Sequence, residues 1–253
     1  MNLRASYRYQ IADHKKSILV FYLVIFCIYA LMGMSISVMI KGNGGTYGSI
    51  SGLEISTVVF LFVTGLNTFK ENFGMLTQNG ISRRSLMVGR LLVMLTVCLF
   101  MTLLDRIWFF CGAWLHHVFG DSINAAMLMD MMYNRAKDVS TLRLHMEALA
   151  FNFSLYFAAM SVGYLITVVF YRLNKIWKTI LGAGLPIFFL ILLPLLDAQV
   201  FRGLISYYLG SCAMKFFGFT SGNPLYAVLS FLVISAVALL GAWFVMRRAP
   251  LHE

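Results

Sequence analysis

Residues 17–40 read SILVFYLVIFCIYALMGMSISVMI and contain no charged side chain. A helix needs about 20 consecutive apolar residues to cross the hydrocarbon core of a bilayer, which is ~30 Å thick. The run is also longer than the ~7–15-residue apolar core of a cleaved signal peptide. These residues therefore predict a transmembrane helix that the protein retains.

Five more apolar runs follow along the chain. Hydrophobic residues make up 60% of the 253 and charged residues 12%, and the mean hydropathy is +0.81, whereas roughly half apolar is typical of globular chains. The sequence predicts an all-α polytopic membrane helical bundle, a single transmembrane domain over 1–253. Its six predicted transmembrane helices are 17–40, 50–69, 91–115, 148–171, 179–196 and 224–246.

Positive charges predict the orientation of this bundle. The net charge is +10, but the lysines and arginines lie in short segments between apolar runs and not on one continuous basic face, which argues against nucleic acid as a partner. With both termini in the cytoplasm, thirteen of them fall in inner segments and six in outer ones, as the positive-inside rule requires. The outer segments 116–147 and 197–223 are then semi-polar stretches that do not span.

The first inner segment, 1–16, is basic and has apolar residues four positions apart at Leu3, Tyr7 and Ile11. This spacing predicts a short interfacial helix on the inner membrane surface.

Motifs for several chemistries are missing from the sequence. No GxxxxGK[ST] phosphate loop is present, so the chain alone is not expected to hydrolyse ATP. No GxSxG or HExxH hydrolase motif is present either. The four cysteines form no CxxC and have no metal-ligand spacing with histidines. We therefore expect no enzyme activity, no catalytic residues and no metal site in this chain.

The predicted cytoplasmic segment 70–90 is polar and basic, and its most informative stretch is 69–86, FKENFGMLTQNGISRRSL. Phe69, Phe73 and Leu76 recur at helical spacing and predict one apolar stripe on a short helix. Asn-Gly at 79–80 predicts a turn. Arg83 and Arg84 would then lie in the first turn of the next helix, where the dipole disfavours cations. The segment is either anchored to inner-leaflet lipid or forms a docking surface for a cytoplasmic partner.

The order of these parts resembles the permease subunits of the ABC type-2 exporter family, of the small bacterial six-span kind. The similarity is sharpest in the Asn-Gly-x-Ser-Arg-Arg turn of 69–86. It is also sharp where Asn223-Pro224 begins an apolar helix that ends at Arg247-Arg248. In that family an interfacial helix precedes the first span, and a cytoplasmic coupling helix joins spans two and three. A partly re-entrant outer segment precedes the last span.

The resemblance implies the permease subunit of an ATP-driven exporter in the bacterial cell membrane. Two permease subunits, identical or different, would form the pathway, and two separate ATPase subunits would bind ATP and Mg²⁺ and grip the coupling segments. ATPase coupling is thereby assigned to Phe69, Phe73, Leu76, Arg83 and Arg84. The permease itself would hold no cofactor. Permeases of this size often export antimicrobial peptides or other amphipathic compounds.

Three charged residues, Glu54, Asp105 and Arg106, lie inside predicted spans. Such residues usually face the bundle interior or a wet cavity and mark functional sites. Glu54 is 15 residues from Phe69 and Arg106 is 15 from Leu91, so each lies ~22 Å from the inner end of its span. We predict that Glu54 and Arg106 form an ion pair or share a wet cavity; the alternative is that each reaches outer water separately.

The same intramembrane charges favour a rival function, a proton- or ion-coupled secondary transporter. Against it, the two halves of the chain show no paired broken helices. An accessory membrane sensor without transport is a third interpretation.

Overall fold

The computed structural model describes residues 3–41, 48–50, 52–119, 123–135, 139–199 and 201–247. Six helical stretches in this part of the chain are long and apolar enough to cross a membrane: Ser6–Leu31, Leu53–Gln78, Arg83–Trp114, Thr141–Arg172, Ile176–Gln199 and Pro224–Arg247. The predicted all-α polytopic bundle is confirmed, and the length and composition of its helices mark a membrane protein.

The elements follow one another as α1 (Leu3–Lys41), β1 (Gly48–Ile50), α2 (Leu53–Gln78), α3 (Arg83–Phe119), β2 (Ile123–Ala125), α4 (Leu128–Tyr133), α5 (Thr141–Arg172), α6 (Lys175–Thr179), α7 (Leu185–Ile187), α8 (Leu193–Gln199), α9 (Leu204–Phe216) and α10 (Pro224–Arg247). The two short strands form a parallel pair in which Gly48 lies opposite Ile123. This pair joins the segment after α1 to the segment after α3.

Helix α5 is the centre of the packed bundle and packs mainly against α2 and α10. Two glycines let α2 and α5 approach closely. A Cβ atom on Gly65 would lie 2.5 Å from the carbonyl oxygen of Met160, and one on Gly163 would collide with the carbonyl oxygen of Phe62. Helices in lipid associate through such small residues, because lipid provides no hydrophobic drive that brings helices together.

Helices α2 and α3 continue beyond the predicted ends of their spans. The separate short helix predicted within 70–90 is absent, because α2 continues unbroken to Gln78. The chain then turns through Gly80, whose φ of +75° suits glycine, and enters α3 at Arg83. The Asn-Gly pair therefore predicted the turn correctly. The helix ends predicted from the polar composition around it were wrong, because both helices continue through polar residues up to the turn.

Two further boundaries differ from the prediction. Because α1 is one helix, no break separates the interfacial segment 1–16 from the first span. The outer segment 116–147 is shorter than predicted, since α3 extends to Phe119 and α5 already begins at Thr141. The polar residues next to the predicted spans are thus part of the same helices, which extend beyond the apolar stretches that hydropathy identified.

The stretch Lys175–Gln199, which we call the peripheral segment, makes few contacts with the other helices. Most of its described apolar side chains are exposed, up to 77% for Leu190. Near Pro186 and Pro194 it contains two π-helical turns, which fits the loss of a backbone donor at each proline. This segment therefore presents its apolar surface outward rather than to the bundle.

Helix α9 is fixed at both of its ends. Asp197 accepts hydrogen bonds from the backbone N–H groups of Ile205 (2.9 Å) and Ser206 (2.8 Å), and so caps the positive end of the helix dipole. At the other end, the Ser230 hydroxyl of α10 donates to the carbonyl of Phe216 (2.5 Å). The outer segment 197–223 thus contains an ordered helix.

Candidate functional site

Glu54 lies in the first turn of α2, where the helix dipole favours a carboxylate. Its Oε2 accepts a hydrogen bond from the backbone N–H of Leu128 (2.8 Å), and its Oε1 accepts one from Nδ2 of Asn152 (3.1 Å). The side chain is buried. This carboxylate therefore joins α2 to α4 and to α5.

Asp105, on α3, is the second buried carboxylate of the cluster. The Tyr22 hydroxyl of α1 donates to its Oδ1 at 2.7 Å, and the Tyr156 hydroxyl of α5 donates to its Oδ2. Each carboxylate oxygen thus has a donor, which offsets part of the free energy needed to bury a charge. Asp105 links α3 to α1 and α5.

Arg106 follows Asp105 but contacts a different part of the molecule. Its Nη1 lies 3.1 Å from Sδ of Met127, and its guanidinium lies over the Phe109 ring, 5.6 Å from the centroid. Its Nε and Nη2 atoms are buried and have no hydrogen-bond partner among the described residues. Thioether sulfur is a weak acceptor, so the charge of Arg106 is the least satisfied of the three.

The predicted ion pair between Glu54 and Arg106 is not formed. The ion pairs in the described part of the chain join Glu147 to Arg135 (3.2 Å) and to Arg143 (2.9 Å). Glu54 and Arg106 instead contact two consecutive residues at the start of α4. Residue counting gave their depth along α2 and α3, but it could not reveal that α4 supplies contacts to both.

A small cavity of about 20 Å³ is lined by Glu54, Asp105, Tyr29 and Phe109, among others. This volume is sufficient for about one water molecule. The structure therefore brings the two predicted intramembrane carboxylates to one polar space. Arg106 lies nearby, around the start of α4, but is not part of the cavity wall.

The apolar stripe assigned to ATPase coupling is buried inside the chain. Phe69 stacks on Phe73 with ring centroids 4.9 Å apart, and the two rings meet Tyr164 and Tyr171 of α5 edge-on. Leu76 is buried with them. The two alternatives stated for this segment, lipid anchoring and docking to a partner, therefore do not apply to these three side chains, because α5 covers them. A coupling role for these residues stays a prediction.

The two arginines of the same segment have different environments. Arg83 Nη1 donates to the carbonyl of Arg247 (2.7 Å) at the C-terminal end of α10, where the dipole favours a cation. This contact explains within the chain why a cation is tolerated at the start of α3. Arg84 is exposed. The surface available to a partner at this turn therefore includes Arg84 and excludes the stripe.

The sequence did not single out Tyr22, Asn152 or Tyr156 as members of the site. Asn152 and Tyr156 are four residues apart in an uncharged span, so they lie on one face of α5, and that spacing was the signal available. The sequence also left Arg90 unassigned. It is completely buried, and its Nη1 donates to Nε2 of His14 (2.9 Å).

Comparison of the chain with family models, curated proteins and solved structures finds no match. The resemblance to ABC type-2 permeases therefore rests on the residues quoted for it, and the functional assignment below is argued from the geometry of the bundle.

Proposed function

We propose that this chain is the membrane-spanning permease subunit of an ATP-driven ABC exporter in a bacterial cell membrane, working with a separate ATPase. Its cargo would be an amphipathic compound or peptide, such as an antimicrobial peptide. The observation that carries the proposal is the buried cluster of Glu54, Asp105 and Arg106, which lies far along α2 and α3 from the tight turn in which the two helices meet.

Burying charges in a membrane is energetically unfavourable, and charged groups found there mark transport pathways or coupling elements. The cluster draws on α1, α2, α3, α4 and α5. A change in how α2 and α3 lie against α5 would therefore alter its hydrogen bonds. Arg106, with two nitrogens lacking partners among the described residues, is the member most readily re-paired in a second arrangement.

Helices α2 and α3 connect this cluster to the turn at residues 79–82. Glu54 is 24 residues from Gln78 on α2, and Arg106 is 22 residues from Arg84 on α3. Continuous helices of that length span ~33–36 Å. A displacement at the turn would therefore be transmitted to the cluster along α2 and α3. An ATPase would act on the exposed residues at the turn, which include Gln78, Asn79 and Arg84.

A proton- or ion-coupled transporter is the second candidate function. It is favoured by the cavity between Glu54 and Asp105, which has room for a water molecule or a small cation. The two functions differ in their energy source, which can be measured directly.

The test is to purify the tagged protein from native membranes and measure ATP hydrolysis by the co-purifying complex in lipid nanodiscs. Arg84→Glu should reduce the co-purified ATPase at least about tenfold at equal permease level, because it reverses the exposed charge at the turn. Arg172→Glu is the matched control, since it makes the same charge change at another exposed position near a predicted inner turn. It should leave the complex intact.

If an ATPase were recovered equally with both variants, the assignment of ATPase coupling to this turn would be contradicted. Transport driven by an ion gradient without nucleotide would favour the second candidate function. ATP hydrolysis by the chain without a partner would contradict the assignment as a permease subunit.

A further inference from the structure

A groove of about 540 Å³ runs between α1 and α3 and shares Tyr22 with the charged cluster described above. Its volume lies within the ~300–1,000 Å³ range of ligand sites. Ile18 and Leu19 line it from α1, and Val97, Phe100 and Leu104 line it from α3. It is therefore walled mainly by hydrocarbon.

The polar groups along this wall already have partners inside the protein. The Thr96 hydroxyl donates to the carbonyl of Leu92 (2.8 Å) and lies 3.2 Å from the Tyr7 hydroxyl. The Tyr22 hydroxyl donates to Asp105. The wall thus offers an occupant little hydrogen bonding, and the occupant that fits it is a hydrocarbon chain.

The groove is long enough to hold one lipid chain. Its α3 side extends from Thr96 to Trp108, 12 residues or ~18 Å of helix. Half of a bilayer's hydrocarbon core is ~15 Å. Leu19 and Phe100 on its walls are 65% and 50% exposed, so a lipid can enter sideways from the membrane.

Lys15 brings a positive charge to one end of the groove. It is exposed and lines that end together with His14. Behind His14 lies the buried guanidinium of Arg90, whose Nε and Nη2 have no hydrogen-bond partner among the described residues. The ion pairs of the described chain involve neither Lys15 nor Arg90. The occupant should therefore carry negative charge at this end.

We propose that the α1–α3 groove binds one anionic phospholipid of the membrane leaflet on the basic side of the bundle, with its acyl chain along Val97 and Phe100 and its headgroup at Lys15. This inference rests on the groove and its charged end, and it does not depend on the proposed transport function.

The test uses quenching of tryptophan fluorescence by brominated acyl chains. In a background with Trp108, Trp114, Trp177 and Trp243 replaced by Phe, Phe100→Trp places a reporter in the groove. Val237→Trp on α10 is the matched control: it is exposed, and it lies ten residues from the basic Arg247, as Phe100 lies ten from Arg90. Each protein is reconstituted in phosphatidylcholine vesicles containing either brominated phosphatidylglycerol or brominated phosphatidylcholine.

At the groove reporter, brominated phosphatidylglycerol should quench about fivefold more effectively than brominated phosphatidylcholine at equal mole fraction, the preference that one lysine near anionic lipid confers. At the Val237→Trp control the ratio should be close to one. Lys15→Gln should bring the groove ratio close to one, whereas Lys178→Gln, which removes an exposed lysine outside the groove, should leave it unchanged.

Equal ratios at the two reporters would overturn the proposal, because they would indicate a general preference of the protein surface. Absence of quenching by either lipid in the groove would also overturn it and would indicate that protein covers the groove. Native mass spectrometry of the unmutated chain with added phosphatidylglycerol needs no tryptophan replacement. It should resolve a bound lipid that Lys15→Gln loses and Lys178→Gln retains.

Discussion

Helix α5 and the peripheral segment Lys175–Gln199 are neighbours in sequence and have different surroundings in the structure. Their mean hydropathies are 1.8 and 2.4 in their most apolar windows, so the more apolar of the two is the segment outside the bundle. Half of the residues in the α5 window are buried inside the bundle, whereas none of the residues in the window of the peripheral segment are buried. Hydropathy therefore identifies both as spans without telling which one the bundle packs around.

The difference follows from the forces available in lipid. A leucine gains little by leaving lipid for a protein interior, so helices associate where small residues allow close approach and polar groups find partners. Helix α5 offers Gly163, Asn152 and Tyr156 to its neighbours. The central part of the peripheral segment, residues 180–196, contains only apolar side chains and glycine. Burial of these two segments therefore follows polar side chains and the close approach at Gly163 rather than hydropathy.

The largest expected effect is at the glycine contact between α2 and α5. Gly163→Leu should abolish the folded bundle, because the new side chain collides with the backbone of α2 at Phe62 and backbone has no alternative rotamer. The measurement is the monodisperse fraction in size-exclusion chromatography after detergent extraction. Gly74→Ala, which lies in α2 and faces open space, should behave like the unmutated protein. Normal folding of Gly163→Leu would mean that α2 and α5 are further apart than described.

Next in size is the difference between two leucine truncations. Leu61→Ala removes a completely buried side chain in the bundle and should lower the free energy of unfolding by about 2–4 kcal/mol through the cavity it leaves. Leu190→Ala, the matched change in the peripheral segment, should alter it by less than about 0.5 kcal/mol. Denaturant unfolding in mixed micelles followed by tryptophan fluorescence measures both. Comparable losses would show that the peripheral segment is packed.

A smaller effect is expected at the buried carboxylate of α3. Tyr156→Phe removes one donor to Asp105 and should lower the free energy of unfolding by about 1–2 kcal/mol, near the upper end for a hydrogen bond between membrane helices. Tyr208→Phe removes the hydroxyl of an exposed tyrosine on α9 and should have almost no effect. The same unfolding assay applies. If the two variants were equally stable, the hydroxyl of Tyr156 would contribute no net stability to the bundle.

The smallest effect separates the two arginines at the start of α3. Arg83→Gln should lower the free energy of unfolding by about 1 kcal/mol or less, because it removes a cation from the C-terminal carbonyls of α10. Arg84→Gln changes an exposed side chain and should leave stability unchanged. Hydrogen–deuterium exchange at residues 243–247 should rise in Arg83→Gln alone. Equal exchange in the two variants would contradict the capping role.

The sequence by itself determined which stretches form helices long and apolar enough to cross a membrane, and where the chain turns sharply. The span predicted at 224–246 corresponds to α10, Pro224–Arg247, and the turn predicted at Asn79-Gly80 is present. Both follow from local properties, namely the transfer of each residue into lipid and the backbone preferences of proline and glycine. Such properties need no knowledge of neighbouring helices.

Only the tertiary structure decided which faces of these helices meet. An apolar stripe such as that of Phe69 and Phe73 can face lipid, a partner or another helix at nearly equal free energy, so periodicity could not reveal that α5 covers it. The partners of Glu54 on α4 and α5, and the contact of Arg83 with α10, lie 74 to 164 residues away in the chain. These contacts depend on how the packed helices are rotated and tilted relative to one another. The spacing of residues along the chain does not specify that rotation or tilt.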